Sequence, residues 1–182
     1  MNKIITLIFI LTHYIGFSQS QAQEEVIARL GQVSFFSYTS VENIEATNNQ
    51  SHSIIDLSNG EIAVSILLRA FVFKKALMEE HFNESYVESD IYPKIQLHGN
   101  ILDFDSNLQG VQTKIVKGTM SFHGVNRDIE IKTKIDNTEG SYILSGDFEV
   151  NIKDYEIKVP PLLARNIAKT IKVTFRFEYQ SL

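Results

Sequence analysis

Residues 171–179 read "IKVTFRFEY", and they constrain the fold more than any other stretch. Ile171, Val173, Phe175, Phe177 and Tyr179 share one parity, while Lys172, Thr174, Arg176 and Glu178 share the other. Successive side chains of a strand point to opposite faces, so this is a strand with one greasy and one wet side. Such a strand needs partners to pair its backbone and a core to cover its apolar face. The same period recurs in Val33 and Phe35; in Ile62, Val64, Ile66 and Leu68; in Ile95 and Leu97; and in Met120 and Phe122. It recurs again in Ile129, Ile131 and Ile135, and in Tyr142, Leu144, Phe148, Val150 and Ile152. Val111, Thr113 and Ile115 form a further short face.

Turn chemistry separates these runs. "DLSNGE" (56–61) carries Asn59-Gly60, a hairpin signal, and "NTEGS" (137–141) is a second hairpin candidate. "SNLQG" (106–110) reads as a looser loop. A chain of 182 residues suggests one domain, here of about eight or more antiparallel strands. Two segments break the alternation. Leu77, Met78, His81 and Phe82 are spaced for a short helix over 75–85, ended before Pro93. The stretch 160–171 opens on Pro160-Pro161, places Leu163 and Ile167 one turn apart, and reads as a second short helix. Closing into a barrel would remove the sheet edges, but a sandwich fits the same periodicity.

Several kinds of chemistry are unsupported. A formal charge of -5 argues against a nucleic-acid binder, which needs a basic patch to neutralise phosphates. With no cysteine there is no disulfide, thiolate nucleophile or thiolate metal site. His52, His81, His98 and His123 show no metal-ligand spacing, and His98 and His123 fall on the polar parity, facing solvent. No serine lies in a nucleophile elbow. Glu79, Glu80, Glu84, Glu88 and Asp90 read as a solvated helix face and loop, and no tryptophan is present to form a sugar platform beside them. The chain therefore reads as a non-enzyme without metal or cofactor.

The N-terminus has the order of a secretory signal: Lys3, the apolar run Ile4–Leu11, then small residues at Ser18, Ser20 and Ala22. The run is too short for a confident membrane span. Residues 1–22 are expected to be removed after Ala22, leaving an exported domain over 23–182, periplasmic or secreted. What remains distinctive is the apolar interior. Phe35, Leu67, Phe71, Phe73, Met78, Phe82, Phe122, Phe148, Phe175 and Phe177 are many large side chains for a modest domain. An eight-stranded barrel can be filled by its own side chains or hold one small ligand.

Four stretches, in order, resemble one family. They are "GQVSFFSYTSVENIEATNNQ", "ALMEEHFNESYVESDIYPKIQLHG", "GTMSFHGVNRDIEI" and "FEVNIKDYEIKVPPLLARNIAKTIKVTF". Together they look like the YceI-like family, in particular its short exported members common in Bacteroidetes, over roughly residues 25–180. The opening strand lacks the histidine that many members carry a few residues after its aromatic. The resemblance implies an all-β fold: an antiparallel eight-stranded lipocalin-like barrel with one or two short helices. It also implies an elongated apolar tunnel, which in some members holds a polyisoprenoid chain. Met120 and Phe122 would look into that tunnel, Gly124 would make the tight turn after them, and His123 would be a corner residue. Region 71–82 would lie over or beside one barrel end. The expected lining, following strand parity and the apolar helix face, is Phe35, Leu67, Met78, Phe82, Ile95, Leu97, Met120, Phe122, Phe148, Phe175 and Phe177.

The function expected on this basis is an exported carrier for a long apolar molecule, an isoprenoid lipid or a quinone. A homodimer stays open. The alternative is a filled-core structural or stress-associated domain that acts through a protein partner. Cavity volume discriminates the two.

Overall fold

The computed structural model describes residues 25–181, so the expected signal segment lies outside the described residues. The strands are β1 (Glu25–Ser37), β2 (Ile44–Asp56), β3 (Glu61–Leu67), β4 (Val72–Phe73), β5 (Lys94–Ile101), β6 (Gly110–Phe122), β7 (Val125–Thr138), β8 (Ser141–Asn151) and β9 (Thr170–Ser181). Eight of them form a closed antiparallel barrel in the order β1-β9-β8-β7-β6-β5-β3-β2, with β2 returning to β1. Closure settles the choice between barrel and sandwich, each of the eight strands pairing with two neighbours. The two-residue β4 adds only Ala46↔Phe73 and Thr47↔Val72 to β2.

The opening alternation holds where the sequence showed it best. Along β7, Ile131, Thr133, Ile135 and Asn137 are buried, and along β9 Phe177 and Tyr179 are buried while their neighbours face out. His123 (φ 51°) and Gly124 (φ 76°) are the two central residues of the β6–β7 hairpin, closed by Phe122↔Val125. A two-residue hairpin matches the strand twist when both central residues have positive φ, which explains glycine at the second place. Glu139 and Gly140 repeat the device between β7 and β8.

Three expectations give way. Val111, Thr113 and Ile115 face outward, because Val116, Met120 and Phe122 fix the opposite parity as the buried one. Gln112 is turned inward instead, and its Nε2 donates to the carbonyls of Asp105 (3.3 Å) and Leu108 (3.2 Å). Leu67 also points away from the interior and is 36 % exposed, since Ile62, Val64 and Ile66 hold the inward parity and Leu68 turns under as the strand ends. The segment 160–171 is not a helix. A single 3-10 turn at Pro161–Leu163 is followed by irregular turns up to β9. The helix near 75–85 does form: α1 (Ala76–His81) runs on into a π-helical turn at Phe82–Tyr86.

The two ends of the barrel differ. One end is solid. Ile55, Ile62, Ile135, Tyr142, Leu144, Phe177 and Tyr179 fill it, and the loop 102–109 caps it through Ser106, whose carbonyl accepts from Asn137 Nδ2 (2.9 Å) and Tyr142 Oη (2.8 Å). At the other end β7 and β8 separate, their pairing stopping at Thr133↔Gly146. A 3-10 turn at Ile152–Tyr155 covers that gap, with Arg127 Nε donating to the Asp154 carbonyl at 3.0 Å.

Candidate functional site: an apolar cavity at the open end

Burial along β9 locates the site. Inward-facing Tyr179 and Phe177 are fully packed, whereas Phe175, Val173 and Ile171, on the same parity, are only partly covered. The last two of these border a cavity of about 430 Å³ at the open end of the barrel. The ends of the barrel strands, α1, and the connection between β8 and β9 enclose it. Beneath it, deeper along the axis, lies a void of about 60 Å³. Val33, Ile66, Ile95, Met120, Phe148 and Val173 border both spaces and form the partition between them.

One wall is aromatic. Phe35, Phe71, Phe73 and Phe82 interlock, with the Phe35 ring centroid 5.3 Å from Phe71, 5.7 Å from Phe73 and 5.5 Å from Phe82. Phe82 also lies 5.1 Å from Phe73 and 5.7 Å from Phe71. Offset and edge-on contacts of this kind are favourable beyond simple burial. They bring strand β1, strand β4 and the helical segment 76–86 together on one side of the cavity. Met78 adds a flexible thioether that can adapt to an irregular shape.

Charged groups are confined to the mouth. Glu42 and Lys75 form an ion pair there, and His81 and Asn166 share the rim. Ser37 Oγ, at the wall, is occupied by the backbone N–H of Ala168 (3.1 Å). Tyr86 lines the cavity, and desolvation by burial raises its hydroxyl above the ordinary value of 10.0. The cavity can therefore sequester an apolar chain and meet a charged group only at its entrance. Among the described residues, no cluster of three or more His, Asp or Glu side chains could hold a metal ion. A hollow of about 620 Å³ on the outer wall is broader, but Lys132, Lys134, Asp147 and Arg176 line it and it is open to solvent.

Of the residues expected to line a tunnel, Phe35, Met78, Phe82, Ile95, Met120, Phe122 and Phe148 border the main cavity. Leu97, Phe175 and Phe177 surround the deeper void, and Leu67 is on the outside. The expected lining left out Val33, Leu68, Ile171 and Val173, although all four share the parity of apolar runs visible in the sequence. It also missed Phe71 and Phe73 as wall residues, and Val159, Leu163 and Ile167. Phe71 and Phe73 sit beside and on a two-residue strand too short to show a period, and Val159, Leu163 and Ile167 on an irregular connection whose spacing suggests a helix instead.

His123 does not face solvent. Its side chain is 9 % exposed. Nδ1 donates to the Tyr155 carbonyl (3.0 Å), Nε2 lies 3.0 Å from Glu88 Oε2, and the ring rests 4.6 Å from that of Tyr92. Its positive φ turns the side chain back against the barrel, so strand parity does not govern it. The residue ties the β6–β7 corner to the 152–155 turn and to the loop after α1, two segments beside the cavity.

Comparison with known proteins agrees with this geometry. A search of curated protein sequences returned no significant match. Among solved structures, a polyisoprenoid binding domain from Saccharophagus degradans implicated in plant cell wall breakdown superposes with a TM-score of 0.75 at 15% identity, covering 88% of this chain and 99% of that one. Burkholderia cenocepacia BcnA gives 0.69 at 12% identity, covering 82% of this chain and 96% of that one. The Campylobacter jejuni YCEI protein gives 0.62 at 12% identity, covering 80% and 88%. These likenesses establish the fold. The YceI-like domain matches residues 18–179, and the chain therefore belongs to the YceI-like domain family.

Proposed function

We propose that this protein is a non-catalytic exported carrier that holds one apolar chain, an isoprenoid lipid or the tail of a quinone, in its open-end cavity. The observation that carries the reading is the cavity itself: about 430 Å³, walled mostly by apolar side chains, with its charged groups at the rim. At roughly the 30 Å³ that a liquid water occupies, this space admits about 14 non-hydrogen atoms, or about three isoprene units. Burial of each methylene would contribute about 0.8 kcal/mol, so affinity needs no polar constellation. That one structural neighbour is a polyisoprenoid binding domain supports the same chemistry. The alternative, a filled-core domain acting through a protein partner, expects close packing throughout. It describes the capped end but not the open one.

Titration with a short-chain quinone carrying about three isoprene units tests the reading. Tyr86 borders the cavity and the chain has no tryptophan, so quenching of tyrosine emission reports entry. The expected result is saturable quenching with one quinone per chain. Quenching that rises without saturation, matching free tyrosine, would contradict it.

A further inference from the structure

The rim of the cavity carries exposed apolar side chains as well as its few polar ones. Leu162 is 91 % exposed and sits in the connection between β8 and β9, next to the wall residue Leu163. Tyr38 (70 %) and Val41 (61 %) lie in the loop from Ser37 to Ile44, both of which border the cavity. Leu77 (61 %) belongs to α1 and lines the entrance itself. Three separate segments thus raise apolar residues around one opening. Charge is unevenly spread over them. The stretch 158–169, "KVPPLLARNIAK", holds Lys158, Arg165 and Lys169, all exposed, and no acidic residue. The α1 side carries Glu79 and Glu80.

Exposed leucine flanked by exposed cations, on a segment that closes a lipid-sized cavity, matches the two terms that hold a protein on a bilayer surface: buried apolar area and attraction to anionic headgroups. We infer that the open end of the barrel docks on an anionic lipid bilayer, with Leu162 entering the interface and Lys158, Arg165 and Lys169 facing the headgroups. The mouth then opens against the membrane, and an apolar cargo can pass between bilayer and cavity without crossing water. This contact goes beyond cargo binding and is read out separately from it. The mature chain binds vesicles whether or not its cavity accepts a quinone.

Flotation with vesicles of phosphatidylcholine plus phosphatidylglycerol, against phosphatidylcholine alone, tests the inference. The mature protein should float with the anionic vesicles, and added salt should release it. Leu162→Glu should weaken binding at least about tenfold, because it replaces an inserted apolar side chain with a charge. The combined Lys158→Gln, Arg165→Gln and Lys169→Gln variant should weaken it by about fivefold per charge, or about a hundredfold. All four side chains are exposed, so both variants should retain the wild-type melting temperature and quinone titration. Failure of the wild-type protein to float with anionic vesicles would overturn the inference. So would flotation that neither variant reduces.

Discussion

The ring of Phe177 occupies the space where a side chain on Gly31 would begin. A β-carbon at Gly31 would lie 2.1 Å from Cδ1 and 2.3 Å from Cε1 of that ring. The two residues sit on adjacent strands, β1 and β9, where the pairing skips from Ile27↔Gln180 to Gln32↔Arg176. The irregularity in β1 and the missing side chain together let a phenylalanine lie across the barrel and floor the deeper void.

Gly31→Ala should therefore destabilise the barrel by about 1–3 kcal/mol, the range for overpacking a close-packed interior. Phe177→Ala should cost less in the Gly31→Ala background than in the wild type, because it removes the atoms that the new methyl strikes. Urea unfolding of the four members of this cycle gives the coupling. Additive costs would mean that the ring is free to move aside.

Val173 faces both the main cavity and the deeper void and is only partly covered. Val173→Phe should fill empty space rather than displace neighbours. Quinone affinity should fall at least about tenfold while the melting temperature stays level or rises. Titration and thermal unfolding of the same preparation check both halves.

Tyr179 is buried, and its hydroxyl lies 2.7 Å from Ser53 Oγ. Desolvation by burial pushes it well above the ordinary value of 10.0, opposed only by the Ser53 hydrogen bond. Burial also raises Tyr155, with Asp154 adding to the shift and Arg127 opposing it. A raised folded value means that the native state keeps its proton where the unfolded chain has lost it. This contribution is whole below pH 10 and is lost as the pH rises further. Stability measured in urea should thus fall above about pH 10, and tyrosinate absorbance from Tyr179 should appear only with unfolding. Tyr179→Phe should flatten that alkaline limb, at a cost of about 1 kcal/mol at neutral pH for the lost hydrogen bond.

His123 joins three segments through Tyr155, Glu88 and Tyr92. His123→Asn keeps a residue that tolerates positive φ but is too short to make both contacts. It should lower stability by about 1–3 kcal/mol, the cost of leaving the carbonyl of buried Tyr155 unsatisfied. Amide exchange should quicken in residues 152–157 and 86–92, while the β6–β7 pairing stays protected. Uniform acceleration throughout the barrel would show instead that the residue serves the hairpin alone.

How much of this was legible in the sequence depends on the period. In β7 and β9 an unbroken alternation named the buried face, and the closed barrel uses that face. In β6 two apolar sets of opposite parity meet, and Val111, Thr113 and Ile115 form the outer one, because the inward parity of Met120 and Phe122 runs on through Gln112 and Gly118, which carry no hydrophobic signal. Leu68 shares the parity of Ile62, Val64 and Ile66 and is buried with them, so that period, followed strictly, puts Leu67 outside. The solid end and the open end are built from the same kinds of residues. Their difference arises from the 102–109 loop plugging one and from α1 and the 158–169 connection only framing the other. Such long-range placement of irregular segments leaves no local pattern. His123 was placed outside by a rule that applies to extended backbone, and it sits in a turn.

The carrier reading stands on an apolar chain held in the open end. Native mass spectrometry of the protein purified from an exporting host, followed by organic extraction of the same sample, tests it most directly. One adduct per chain that extracts as an isoprenoid is expected, and none from Val173→Phe. A bare mass that stays unchanged after incubation with quinones and polyprenols would overturn the carrier reading.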